Sequence, residues 1–185
     1  VYNRSNIYWL SYQAEIDTFF YKYARSRPDA GDNILPGFFK VDFYEKDSLY
    51  ERLGYGINDQ RDYWYWDRAT GYRGTPTYPF IAQFKPLKNF NPNFPQVRLR
   101  VNMHGMTESS CLYGHNVKIV WNNKELGIAK WSGQSEHTYD RYFVISADSF
   151  NLYPEGNYIQ VLADGRVCHP DSSDEIRVNW FEITY

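Results

Sequence analysis

The sequence predicts an all-β fold, an antiparallel β-sandwich, on three observations. Aromatic residues make up 19% of the chain, with 18 Tyr, 12 Phe and 6 Trp, and aromatic and β-branched side chains suit the half-buried surface of a pleated sheet. Several stretches alternate apolar and polar residues with a period of two, the mark of a strand with one dry and one wet face. Turn residues separate these stretches at short intervals with no strong amphipathic helix between them, the pattern of a sandwich. A chain of 185 residues reads as a single domain, residues 1–185, able to bury a core.

The elements follow in order. Asn6–Tyr12 is the first strand, with the bulky run Ile7, Tyr8, Trp9 and Leu10. Gln13–Pro36 is polar and broken by Pro28, Gly31 and Pro36, a long N-terminal excursion. Gly37–Tyr44 is a second strand, with Lys40 and Asp42 on its wet face. Glu45–Leu53 has helical composition and ends at Gly54 and Gly56. Asp62–Arg68 is the densest aromatic cluster, Gly71–Thr77 a turn-rich break, and Tyr78–Phe84 a strand. Pro86, Pro92 and Pro95 then mark a loop, since proline cannot donate to a central ladder.

The pattern sharpens from Val97. Val97, Leu99, Val101 and Met103 share one face of a strand, and Arg98, Arg100, Asn102 and His104 the other, wet face. Asn116–Trp121 and Glu125–Trp131 form a hairpin around Asn122-Asn123, asparagine being tolerant of positive φ. Arg141–Ser146 and Tyr158–Ala163 follow, divided by a loop with Pro154 and Gly156. In the closing strand Ile176–Tyr185, Ile176, Val178 and Trp180 share one parity and Phe181, Ile183 and Tyr185 the other. Either both faces are covered, or a bulge near Trp180 exchanges them.

The charge balance excludes some partners. A formal net charge of −2 gives no electrostatic footprint for nucleic acid. No apolar run approaches the ~18 residues of a membrane helix. The opening Val1-Tyr2-Asn3-Arg4, with neither initiator Met nor signal peptide, reads as a piece of a longer parent.

Chemistry-bearing residues are few. If the strands run up and down in order, the loops bearing Cys111 and Cys168 fall at the same end of the sandwich. The two cysteines are then within reach of a disulfide, or remain separate thiols. Cys111 with His104 or His115 lacks the orienting group and oxyanion hole of a nucleophilic site. Cys111, His115, Cys168 and His169 are a conceivable zinc set, though without metal-type spacing. Asp59, Asp62 and Asp67, or Asp164, Asp171 and Asp174, are oxygen-rich enough to consider calcium, but neither group follows an EF-hand loop. No cofactor is required by any motif. For ligand binding, Tyr63, Trp64, Tyr65, Trp66 and Trp131 are the first aromatic candidates, set against the plainer reading that they fill the core.

Three stretches carry a resemblance. They are Asn116–Gly127 (NVKIVWNNKELG) with Ala129–Gly133 (AKWSG), Phe143–Ala147 (FVISA) with Leu152–Asn157 (LYPEGN), and Val178–Tyr185 (VNWFEITY). Asn6–Leu10, Tyr63–Asp67 and Leu99–Gly105 fit the same pattern. Together they resemble the jelly-roll, galactose-binding-like module that accompanies gingipain-like (family C25) cysteine peptidases, including the surface sortase-type member of the type IX secretion system. Carbohydrate-binding jelly rolls share the hairpin and the final strand.

The resemblance implies a secreted or cell-surface bacterial protein whose peptidase domain lies outside these residues. It carries over no catalytic Cys or His, because the peptidase domain lies outside these residues; His104-Gly105, which resembles the family's catalytic His-Gly, here ends a sandwich strand. The expected function is a non-catalytic module that packs on or positions the catalytic peptidase domain. The alternative is a carbohydrate-binding module that holds a glycan on exposed aromatics.

Overall fold

The computed structural model describes residues 39–51, 63–107, 113–146, 150–165 and 173–185. The expected strand Asn6–Tyr12 and the excursion Gln13–Pro36 lie outside them. The described residues belong to one unit and contain twelve strands. These are β1 (Val41–Glu45), β2 (Leu49–Tyr50), β3 (Trp64–Tyr65), β4 (Asp67–Tyr72), β5 (Thr75–Tyr78) and β6 (Phe80–Phe84). They continue with β7 (Gln96–Gly105), β8 (His115–Trp121), β9 (Lys124–Trp131), β10 (Glu136–Val144), β11 (Asn157–Ala163) and β12 (Ser173–Thr184). Every pairing between them is antiparallel.

Two sheets enclose the core. The larger runs β10-β7-β12-β4-β5, with β1 also paired to β12, and the smaller runs β6-β11-β8-β9. The alternation read from the sequence sets the inner faces. Val97, Leu99, Val101 and Met103 of β7 meet Val117, Ile119 and Trp121 of β8 and Ile159, Val161 and Ala163 of β11, all fully buried. Each such aliphatic side chain contributes about 1.5–3 kcal/mol on leaving water. Aromatics complete the core: Phe181 stacks on Tyr44 at 4.6 Å and on Trp66 at 5.6 Å, and Phe84 lies 4.9 Å from Trp121.

Strand β12 is central and carries the expected bulge. Its register against β7 shifts between Val178 and Phe181. Ile176 and Val178 before the shift, and Phe181 and Ile183 after it, therefore all point into the core. The bulge also marks where the neighbour of β12 changes, from β4 up to Val178 to β1 from Trp180.

Several expectations need correction. Instead of forming a helix, the described part of Glu45–Leu53 ends β1 at Glu45 and forms β2 at Leu49–Tyr50. Its charged residues suit a helix, but pairing with β3 decides the conformation. The supposed break Gly71–Thr77 is the β4–β5 hairpin, turned by Arg73 and Gly74 at positive φ. The strand expected at Arg141–Ser146 is β10, which starts earlier at Glu136 and ends at Val144. Asn102 and His104, assigned to a wet face, are buried. By contrast, Asn122 and Asn123 both have positive φ, as the β8–β9 hairpin required.

Candidate ligand-binding site

His104 is buried beneath a second layer, whereas Asn102 bonds to Glu136 and Thr138 of β10. Strands β2 and β3 pair as a separate two-stranded ribbon, Leu49 opposite Tyr65 and Tyr50 opposite Trp64. Because strand side chains alternate, one pair faces the large sheet and the other faces solvent. Tyr65 is 3% exposed and its ring lies 6.2 Å from that of His104. Tyr50 and Trp64 are 56% and 44% exposed, with ring centroids 5.0 Å apart and planes tilted by 57°.

The ribbon is short, and two-residue strands have little stability of their own. Backbone bonds extend it at both ends, Ser48 N–H donating to the Tyr65 carbonyl and Glu51 N–H to that of Tyr63. It is also tied to the sheet by charge. Arg177, on the outer face of β12, is only 4% exposed. Its Nε donates to Glu51, and a terminal nitrogen donates to Glu175 Oε1 at 2.9 Å. Burial works against the guanidinium charge, but hydrogen bonds to Glu51 and Glu175 outweigh it and hold the pKa of Arg177 above its ordinary value.

The five aromatic candidates do not form one platform. Trp64 faces solvent and Tyr65 faces the sheet. A bend at Trp66 carries the chain from the ribbon into β4. Trp66 then packs into the core against Phe80 and Phe181. Tyr63 is half-buried beside the ribbon. Trp131 is 7% exposed and sandwiched between His115 and His137, with its indole N–H donating to the Ser135 carbonyl. Tyr65, Trp66 and Trp131 are therefore packed against neighbouring side chains. Sequence reasoning did not single out Tyr50, Glu51 or Arg177. An arginine between Ile176 and Val178, on a strand apolar at both parities, was the one sequence signal of an outer face under cover.

A polar cluster lies at the loop end. His115 is fully buried; its Nδ1 contacts Asp174 Oδ1 at 2.6 Å, and its Nε2 contacts the Gly133 carbonyl at 3.0 Å. Thr107 Oγ1 donates to the same Asp174 oxygen at 2.9 Å. A side chain at Gly105 would collide with the His115 ring, its Cβ falling 2.2 Å from Nε2. Asp174 comes from β12 and His115 from β8, so the cluster clasps the two sheets together. Asp164 pairs with Lys118 at 2.9 Å. The contacts Met106 N–H to Glu175 and Asp164 N–H to Asn116 place the described flanks of the two cysteine-bearing loops at one end, as up-and-down strand order required. Cys111, Cys168 and His169 themselves lie outside the described residues, as do Asp59, Asp62 and Asp171. Among the described residues, no group of three or more His, Cys, Asp or Glu is placed to hold a metal ion.

No protein-family model matches the chain, and no curated protein sequence does. Solved structures do. In dimeric latent PorU from Porphyromonas gingivalis, 79% of this chain aligns at 9% identity with a TM-score of 0.53. The chain spans 12% of the length of that protein. The CBM36-1 domain of a multidomain xylanase from the hindgut metagenome of Trinervitermes trinervoides aligns over 78% of this chain and 96% of its own, at 10% identity and a TM-score of 0.42. A CBM36 module in complex with calcium and xylotriose aligns over 77% and 98%, at 11% identity and a TM-score of 0.42. The match to PorU agrees with the all-β antiparallel jelly roll described above, and supports the resemblance read from the sequence as a distant likeness of fold.

Proposed function

We propose that this sandwich is a non-catalytic recognition module of a larger, extracytoplasmic protein, and that it binds a glycan chain on the Tyr50–Trp64 pair. The observation that carries this reading is the ribbon itself. It lifts two aromatic rings off the sheet as cross-strand partners and leaves both largely exposed. Exposing two large rings side by side forfeits burial that a purely structural ribbon would use. Sugar rings stack on such faces through their C–H surfaces, and flanking polar groups bond the hydroxyls. The 57° tilt suits a single chain whose successive sugars are rotated, rather than a flat crystalline surface.

The test is a panel of soluble polysaccharides (xylan, glucomannan, hydroxyethylcellulose) in affinity gels, with insoluble microcrystalline cellulose as a pull-down. Retention by at least one soluble polysaccharide, lost in Trp64→Ala, supports the reading. Retention by none, or binding to microcrystalline cellulose alone, contradicts it.

A second reading, docking onto the catalytic peptidase domain of a parent protein, has its own observation. Phe39, Val41 and Phe43 are exposed along β1, and Phe43 lies 5.4 Å from Trp180 on the neighbouring strand. Saturable binding to a C25 peptidase domain, weakened by Phe43→Ser and indifferent to Trp64→Ala, would favour it.

A further inference from the structure

The ribbon has one ionic attachment to the sheet beneath it among the described residues, and its chemistry is unusual. Arg177 projects from the outer face of β12, a position that would ordinarily reach water, yet its side chain is almost wholly buried. Its two carboxylate partners come from different layers: Glu175 from its own strand, two residues away, and Glu51 from the ribbon. The Glu175 bond holds the guanidinium plane over the sheet. Glu51 adjoins Tyr50, and its own N–H donates to the Tyr63 carbonyl across the ribbon. Tyr50 in turn packs on Trp64 across the ribbon.

We infer that Arg177 is a positioning residue for the Tyr50–Trp64 pair, setting the relative pose of the two rings through Glu51 without touching the ligand. This rests on the glycan-binding reading above. A planar fork with fixed donors suits the task, because it fixes direction as well as distance. A lysine ammonium in its place would supply charge without orientation. The alternative is an ion pair that only adds to the stability of the sandwich, and the two differ in what a mild substitution does.

The substitution is Glu51→Gln, made on the partially exposed partner so that the buried strand is left intact. Three quantities are read on the same protein: melting temperature, amide hydrogen exchange at Leu49–Glu51 and Tyr63–Tyr65, and affinity for xylohexaose. Positioning predicts a melting temperature within a few degrees of wild type, at least tenfold faster ribbon exchange, and at least fivefold weaker xylohexaose binding. Arg177→Lys gives intermediate values of both, while Tyr50→Ala abolishes binding and leaves exchange at Tyr63–Tyr65 within threefold of wild type. Unchanged ribbon exchange in both Glu51→Gln and Arg177→Lys overturns the inference, as does faster exchange with unaltered affinity. If wild type binds no xylohexaose, the glycan reading fails for that probe, and the exchange data alone decide whether Arg177 holds the ribbon.

Discussion

Gly71 has no room for a side chain: a Cβ there would lie 1.9 Å from the Ala163 carbonyl oxygen. The obstacle is the backbone of β11 in the facing sheet, which cannot swing aside as a flexible side chain would. Gly71→Ala must therefore separate β4 from β11, and about 3 kcal/mol of lost stability is expected, measured by urea denaturation. His137 gives a pH prediction. Its ring stacks on Trp131 at 4.8 Å and 6°. Burial, and the nearby His115, hold its pKa below the ordinary 6.5. A lowered folded-state value means that the unfolded chain takes up the proton more readily. This contribution is complete above about pH 6.5 and is lost as pH falls through that value toward the lower folded one. His137→Phe keeps a stacked ring and removes the proton. The melting temperature of wild type should fall more between pH 8 and pH 5 than that of the variant, and parallel curves would refute the assignment.

At the scale of elements, β12 shows how a strand serves two neighbours. The bulge at Asn179 and Trp180 absorbs one residue relative to β7. Deleting Asn179 restores simple alternation and keeps Phe181 and Ile183 facing the core. Deleting Glu182 instead turns Ile183 outward, since a shift of one residue exchanges the faces. The second deletion should lower the melting temperature by far more than the first, and equal losses would argue against the register. The same physics explains what the sequence could disclose. Strands β7, β8, β9 and β11 were legible because each has one dry face and enough residues to display a period. The ribbon was not, because two-residue strands show no period and Tyr50 and Trp64 pair only once the chain is folded. The burial of His104 and Arg177 was hidden for the same reason: it depends on a layer contributed by another part of the chain.

At the largest scale, the described unit is a sandwich with a buried core between its two sheets and a two-stranded ribbon on one outer face. The core uses many of the described aromatic side chains, Trp66, Trp121, Phe80, Phe84 and Phe181 among them, which is why aromatic content pointed to the fold rather than to a site. The ribbon turns two paired aromatic rings toward solvent and is bonded to a buried arginine. The aromatic cluster at Tyr63–Trp66 thus divides between core and candidate site according to which way each residue faces, a division no composition reveals. Those two rings are the proposed glycan site. Isothermal titration of wild type, Tyr50→Ala and Trp64→Ala with xylohexaose and cellohexaose should give measurable binding of at least one oligosaccharide by wild type, with at least tenfold loss in each variant at unchanged melting temperature. Binding of neither by wild type, or affinity undiminished by Trp64→Ala, would contradict it.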